Sequence, residues 1–327
     1  MKKLVSIISG CYNEEGNLPL FYEAVSKIMD SLPQYDFECL IADNCSKDGS
    51  AKILEEIAAK DKRFKVVFNL KNYGPDRSGG NLIYRAAGDC MITLASDLQD
   101  PPEMIYKFLE KWEEGHKMVW GQRTKTGEGR LMEGVRILYY RFIKSISESE
   151  EYERANGFGL YDREVIDWIK NCNDPVPFIR NLVTSLGYKP CLIPYEKRAR
   201  KRGKSSYNLF RYINDAMSGM VASSKVPLRL ATYLGFFAAG ASFLVAVIYL
   251  IWKLTHWYSF DAGVAPIIIG MLFLGAVQLI CIGIMGEYIG EILTRLKKRP
   301  LVIERKTLNF KDSKKETGVE ESEKCGV

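Results

Sequence analysis

Short apolar runs that stop abruptly in polar clusters mark the first hundred residues. Leu4–Ser9 predicts a strand breaking into Gly10-Cys11-Tyr12-Asn13-Glu14-Glu15. Phe37–Ala42 predicts a second, ending at Asp43-Asn44-Cys45-Ser46-Lys47-Asp48-Gly49-Ser50. Phe64–Asn69 and Cys90–Leu94 predict a third and a fourth, with Asn72-Tyr73-Gly74-Pro75 a turn between them. Helical spacing fills the gaps. Leu20, Ala24 and Ile28 carry one helix to about Leu32, and Ser50 is expected to cap another whose apolar face is Ile53, Ile57 and Ala58. A third runs to about Ala87, where Gly88 stops it. Strands alternating with helices imply a parallel α/β sheet covered on both faces. The first, second and fourth strands all end in polar clusters, so their carboxyl ends are expected to share one crevice, the place where open α/β sheets bind ligands.

The pattern then loosens. A helix from Glu103 to about Gly115 leads to a strand at Met118–Trp120, followed by Gly121-Gln122-Arg123. Residues 124–136 read as a basic, glycine-bearing loop and Ile137–Ile146 as a helix. Asn156–Arg163 precedes a helix to about Lys170, and Lys189–Tyr195 suits a late strand. Arg198–Tyr207 is a basic loop, and Leu209–Ser224 is amphipathic enough to lie along a membrane surface. The polar stretch Lys311–Val327 is expected to be disordered.

Two runs break with the rest. Neither Leu230–Trp252 nor Ala262–Gly286 contains a charged residue. As helices each would span roughly 35 Å, enough for a hydrocarbon core of about 30 Å. A transmembrane hairpin is therefore expected. Arg198, Arg200, Lys201, Arg202, Lys204, Arg211, Lys225 and Arg229 precede it, and Arg295, Lys297, Lys298 and Arg299 follow it, while the connection offers Lys253, His256 and Asp261. The positive-inside rule puts both termini in the cytoplasm and the connection outside. Trp252, Trp257 and Tyr258 sit at the level of an interfacial aromatic belt. No secretory signal is read before the first strand.

Composition narrows the chemistry. The net charge of +6 gathers near the expected membrane, which suits anionic headgroups or a phosphorylated lipid rather than nucleic acid. Eight scattered cysteines without a CxxC pair, and two histidines in 327 residues, argue for reduced thiols and against a Cys/His zinc site. The run from Met91 to Glu103 is the most informative. Apolar residues end at Asp97-Leu98-Gln99-Asp100-Pro101-Pro102-Glu103, which reads as a buried strand emptying into a polar site or as an exposed acidic turn. Asp97 is the first candidate to meet a metal or a sugar nucleotide.

Taken in order, Tyr12-Asn13-Glu14-Glu15, Asp43 to Ser50, Gly88-Asp89 and Asp97 to Glu103 resemble family 2 glycosyltransferases of GT-A fold. More narrowly the chain resembles the polyisoprenyl-phosphate glycosyltransferases, namely the bactoprenol glucosyltransferases and dolichol-phosphate mannose synthases. The resemblance continues through Gly121-Gln122-Arg123, Tyr140-Arg141, Gly157-Phe158, Asp162-Arg163, Arg200 to Tyr207, Val226-Pro227-Leu228-Arg229 and Gly286-Glu287-Tyr288. It implies a GT-A domain over 1–208, a juxtamembrane helix over 209–228, spans at 229–253 and 262–288, and a cytoplasmic tail over 289–327.

The resemblance also implies roles. Tyr12, Asn13, Glu14 and Asp43 would hold the nucleoside of a nucleotide-sugar donor, with Gln99 and Asp97 nearby. Asp97 would bind Mg²⁺ or Mn²⁺. Arg123, Arg136, Arg200, Arg202, Lys204 and Ser205 would meet phosphate, either the donor diphosphate or the polyprenyl phosphate acceptor, with Asp97, Arg123 and Arg200 the candidate catalytic residues. Some relatives tetramerise through their C-terminal part, and Ile303–Phe310 suits a strand in such a contact.

The chain departs from the pattern at several points. Ala95 stands where the first acid of Asp-x-Asp is usual, Asn44 where a second aspartate is, Gly157 where the bactoprenol enzymes carry an aspartate, and Pro75 where a lysine often follows Asn-x-Gly. Two other readings stay open. A processive polysaccharide synthase would usually carry more spans and an Arg-Trp pair, absent from this chain. A catalytically silent, membrane-bound partner of a true transferase would show losses like Ala95 and Gly157.

Overall fold

The computed structural model describes residues 2–124, 152, 155–172, 174, 179–185, 187–198, 226–255, 264–297 and 300–310. Arg136, Arg200, Arg202, Lys204 and Ser205 lie outside them. So do the helix expected at 137–146, the amphipathic stretch at 209–224, Trp257, Tyr258 and the tail from Lys311.

Alternating strands and helices form as the apolar pattern requires. They are β1 (Lys3–Cys11), α1 (Leu18–Ser31), β2 (Tyr35–Asp43), α2 (Ser50–Lys60), β3 (Phe64–Asn69), α3 (Pro75–Arg85), β4 (Cys90–Thr93), α4 (Met104–Glu113) and β5 (Met118–Arg123). There follow β6 (Ala155–Asp162), α5 (Arg163–Cys172), α6 (Ile179–Ser185), β7 (Cys191–Tyr195), α7 (Val226–Thr255), α8 (Val264–Leu296) and β8 (Glu304–Leu308). One eight-stranded sheet runs in the order β7-β5-β6-β4-β1-β2-β3-β8. The central strands β4, β1, β2 and β3 are parallel, as are β5 and β7, while β6 and β8 run against their neighbours.

Apolar residues cover both faces of the sheet, which explains why its strands read as continuous runs rather than alternating ones. On one face Phe21, Leu54, Ile105 and Phe108 from α1, α2 and α4 pack against Val5, Ile7, Ile41 and Ile92. On the other, Leu82, Ile83, Val165, Ile166 and Val183 from α3, α5 and α6 cover Ile8, Leu40, Val67 and Met91.

Local details correct three expectations. Gly49, not Ser50, is the N-cap of α2, and the Ser50 hydroxyl instead accepts the Glu14 N–H at 2.9 Å. The buried face of α2 is built on Leu54 with Ile57 and Ala58, while Ile53 is only partly covered. Pro75 opens α3 rather than closing a turn, because its fixed φ and missing N–H suit the first helical turn.

The helices α7 and α8 outrun the uncharged stretches that predicted them. Their most apolar windows, Leu228–Val245 and Phe273–Thr294, have mean hydropathies of 1.5 and 1.6 and are 6% buried. Both are long and apolar enough to cross a membrane.

After α8 the chain returns to the sheet. β8 pairs antiparallel with β3 of its own chain, so the strand expected within Ile303–Phe310 forms there. Polar contacts fasten it at several points. Glu304 takes Arg85 and the Asn81 amide, Lys306 reaches Glu55 at 2.9 Å, and Arg77 donates to the Pro300 carbonyl at 2.8 Å.

Candidate active site

Three neighbouring parallel strands, β4, β1 and β2, open at their carboxyl ends into one crevice. Just beyond each strand a side-chain-bearing residue takes a left-handed backbone: Asn13 at φ 56°, Cys45 at φ 62° and Leu98 at φ 55°. Such conformations are costly for anything but glycine and concentrate at functional sites. The loops that carry them are laced together. The Asn13 N–H donates to Ser46 Oγ at 3.0 Å, the Lys47 N–H to Asn13 Oδ1 at 2.8 Å, and the Gly49 N–H to Glu15 Oε2 at 2.8 Å. The Ser96 hydroxyl donates to the Gly10 carbonyl at 2.8 Å, which ties the loop after β4 to β1.

Asp43 lies at the bottom of this arrangement, 2% exposed. Its carboxylate accepts the Ser46 hydroxyl at 2.5 Å and the Ser46 N–H at 3.2 Å. Burial pushes its pKa up and the Ser46 bonds pull it back only in part. A raised carboxyl binds its proton more tightly folded than unfolded. Its contribution to stability is therefore full below the ordinary carboxylate range and lost as pH rises through the raised value. Above that value the protein carries a buried charge at a cost. Asp43→Asn should remove that loss and leave the protein at least as stable at pH 7, while nucleotide affinity falls. Urea denaturation at acid and neutral pH, run beside nucleotide titration, checks both halves.

Asn44, where the resemblance implies a second aspartate, works in a different direction. Its Nδ2 donates to Asn72 Oδ1 at 2.9 Å, while its Oδ1 accepts Asn69 Nδ2 at 3.1 Å and the Tyr73 N–H at 2.9 Å. An ionised carboxylate could only accept, so the amide is what lets this residue bridge Asn72, Asn69 and Tyr73 and fix the turn ahead of α3. Glu14 accepts Asn17 Nδ2 at 2.6 Å, so part of its carboxylate is already engaged.

The acids of the run after β4 separate clearly. Asp97 is half-buried, and its Oδ1 accepts the Gln99 N–H at 3.1 Å. Asp100 is 4% exposed and committed to the protein: Tyr195 donates to its Oδ1 at 2.5 Å and Arg123 approaches the same oxygen at 3.3 Å. Arg123 Nε also donates to the Tyr195 hydroxyl at 3.0 Å. Burial, then the Asp100 charge, pushes the Tyr195 phenol up and keeps it a donor. Burial works against the Arg123 charge, but Tyr195 and Asp100 outweigh it. Gly121 makes room for this network, since a Cβ there would sit 2.8 Å from the Tyr195 ring and 2.9 Å from Phe158. Tyr195→Phe keeps the ring but strips Asp100 of its short bond, and urea unfolding should register a loss of about 1–3 kcal/mol.

Beside these groups a cavity of about 280 Å³ opens between β1, β4, β6 and the start of α3, with Gly10, Pro75, Asp76, Ala95, Gly157 and Phe158 among its walls. Ala95 and Gly157, the two positions where the resemblance implies carboxylates, thus face one space. Asp100 and the exposed Asp76 are the acids left around it. Among the described residues no three His, Cys, Asp or Glu side chains gather as a ready metal cage. The half-buried Asp97 carboxylate, one of whose oxygens accepts the Gln99 N–H, fits a divalent ion completed by donor phosphates and water, the usual habit of Mg²⁺.

Of the residues singled out from sequence, Tyr12, Asn13, Glu14, Asp43, Asp97, Gln99 and Arg123 stand on the loops and strand ends around this crevice. Tyr195, Ser46 and Asp76 were missed. Tyr195 became visible only through the β5–β7 register, which sets it opposite Arg123.

Residues 6–168 match the Glycosyl transferase family 2 model, and residues 226–292 match the GtrB C-terminal hairpin. The uncharacterized glycosyltransferase YkcC of Bacillus subtilis is 33% identical over 310 residues, covering 94% of this chain and 95% of its own. The SfII prophage-derived bactoprenol glucosyl transferase of Shigella flexneri is 32% identical, covering 93% and 98%. Among solved structures, glucosyl-3-phosphoglycerate synthase from Mycobacterium tuberculosis, in complex with phosphoglyceric acid, aligns with a TM-score of 0.48 at 15% identity, over 67% of this chain and 78% of its own. The chain is a glycosyltransferase: it belongs to glycosyl transferase family 2 and carries the GtrB-type hairpin.

Proposed function

We propose that the protein transfers a single sugar from a nucleoside diphosphate donor, a uridine diphosphate sugar being the first choice, to polyprenyl phosphate at the cytoplasmic face of a membrane. The observation that carries this reading is the joining, in one chain, of an acid-lined crevice to two helices able to span a bilayer. Relatives named as bactoprenol glucosyl transferases match it along nearly the whole length. The basic flanks favour a cytoplasmic catalytic domain with both termini on the same side.

Asp43 and the loop from Tyr12 to Glu14 would take the nucleoside, since a carboxylate suits base and ribose donors. Asp97 would hold Mg²⁺ or Mn²⁺ against the donor diphosphate, and the ion would neutralise the charge of the leaving group. The acceptor needs little help from a base. By analogy with phosphorylated side chains its second pKa is about 6, so at pH 7 the lipid phosphate is largely a dianion. Gly157 therefore does not preclude attack. What the dianion needs is alignment and shielding. Arg123, held by Tyr195 and Asp100, supplies the first, with Arg136, Arg200, Arg202, Lys204 and Ser205 as further phosphate-binding candidates. Direct attack inverts the anomeric centre. A homo-oligomer fits the family.

A silent partner protein is the second reading, and the specific observation in its favour is the shared loss of carboxylates at Ala95 and Gly157 around one cavity. A panel of labelled nucleotide sugars, offered with polyprenyl phosphate to the detergent-solubilised protein, separates the two. Turnover of one donor supports transfer, and donor binding without turnover supports the silent partner.

A further inference from the structure

The strand that follows the hairpin brings a cation to the donor crevice. β8 begins beyond residue 292, where the hairpin match ends, yet it forms the outermost strand of the sheet beside β3. Its register sets Phe68 opposite Lys306 and Asn69 opposite Glu304, with an irregularity between, so Arg305 is the extra residue of a bulge. Bulges re-aim side chains. The flanking residues are fastened down, Glu304 by Arg85 and Asn81 and Lys306 by Glu55. Arg305 is exposed and has no hydrogen-bond or salt-bridge partner among the described residues.

The antiparallel register sets the start of β8, and with it Arg305, at the carboxyl end of β3. Asn69, at the bulge, donates its amide to Asn44, and Asp43 pairs with Phe68 in the β2–β3 register. Burial pushes the Asp43 carboxyl up, and Arg305 is one of the groups that pull it back. A buried acceptor and an uncommitted fork of donors therefore stand at the same end of the crevice. That pairing complements a nucleobase whose ring N–H lies between carbonyl oxygens, and it tolerates a phosphate on the same side.

We infer that Arg305 is a donor-binding residue, meeting the nucleotide beside Asp43, and that the segment after the membrane hairpin thereby completes the donor site. The inference rests on the crevice being the donor site. Because β8 hangs from the exit of α8, it also links donor binding to the membrane anchor.

Calorimetric titration of the full chain in detergent with UDP, GDP, CDP and ADP tests it. Arg305→Ala should weaken the best-bound diphosphate by about tenfold, the loss of a charge-assisted bond. The melting temperature should hold, and Arg305→Lys should recover part of the affinity. Lys306→Ala, which breaks only the Glu55 pair, should bind like wild type. Unchanged affinity in Arg305→Ala overturns the inference and leaves the donor reading standing. An equal loss in Lys306→Ala also overturns it, because strand docking would then be responsible. A wild-type protein that binds none of the four diphosphates overturns the donor reading and this inference together.

Discussion

Asp97→Ala should cut sugar transfer by about a thousandfold, the scale of losing a principal electrostatic contact to the reacting groups. The family resemblance implies a second carboxylate two residues earlier, and here Ala95 occupies that place. Asp100 is no substitute, since Tyr195 and Arg123 already claim it and it is almost fully buried. The structural cost should be small. Asp97 makes one bond to the Gln99 N–H at 3.1 Å in a turn that Leu98 bends through φ 55°, and losing that bond costs about 1 kcal/mol. Initial rates at saturating donor, read beside the melting temperature, separate chemistry from folding. A loss below tenfold would mean that the donor diphosphate is gripped elsewhere.

The second large effect is on stability. Gly159→Ala should destabilise the fold by about 3 kcal/mol or more, in the upper range for overpacking a well-filled core. A Cβ at this position would lie 2.1 Å from the Val119 carbonyl oxygen and 2.9 Å from the Trp120 Cα. Those are backbone atoms of the neighbouring strand, and they move only if β5 and β6 part. The same residue donates its N–H to Thr93 Oγ1 at 3.1 Å, while that hydroxyl donates to the Gly157 carbonyl at 2.7 Å. Disturbing it should therefore loosen the wall of the cavity as well as the sheet. Chemical denaturation of the full chain in detergent measures the first effect. Donor affinity at a temperature where the variant remains folded measures the second.

Much of this molecule is legible in the chain because its strands are local and its chemistry sits where they end. β1, β2 and β4 announce themselves as apolar runs cut off by acids and amides, and the parallel sheet follows from the helices between them. The hairpin is legible for the same kind of reason, two stretches without a charge. What escaped depends on contacts between distant residues. Ile303–Phe310 reads as a strand, but nothing in Glu-Arg-Lys-Thr-Leu says that ion pairs hold it at the edge of this sheet. Its own strand partner, and the register that brings Arg305 to the same end of the sheet as Asp43, cannot be inferred from spacing.

Tyr195 illustrates the limit within the site itself. It ends a short strand with no motif, 95 residues from the Asp100 oxygen it bonds. Ser50 shows the opposite failure: its residue type suits a cap, but a tertiary donor, the Glu14 N–H, claimed the hydroxyl. The apparent gaps at Ala95 and Gly157 were visible one by one. That they open onto the same cavity is a property of the fold alone.

The measurement closest to the central claim is the mass of the lipid product. Purified full-length protein in proteoliposomes would receive undecaprenyl phosphate, Mg²⁺ or Mn²⁺ and a mixture of nucleotide sugars, with Asp97→Ala as the control. The expected result is a polyprenyl phosphate heavier by one glycosyl residue, present with wild type and lost in the variant. Unmodified lipid with wild-type protein, under conditions where it still binds the nucleotide, would contradict it.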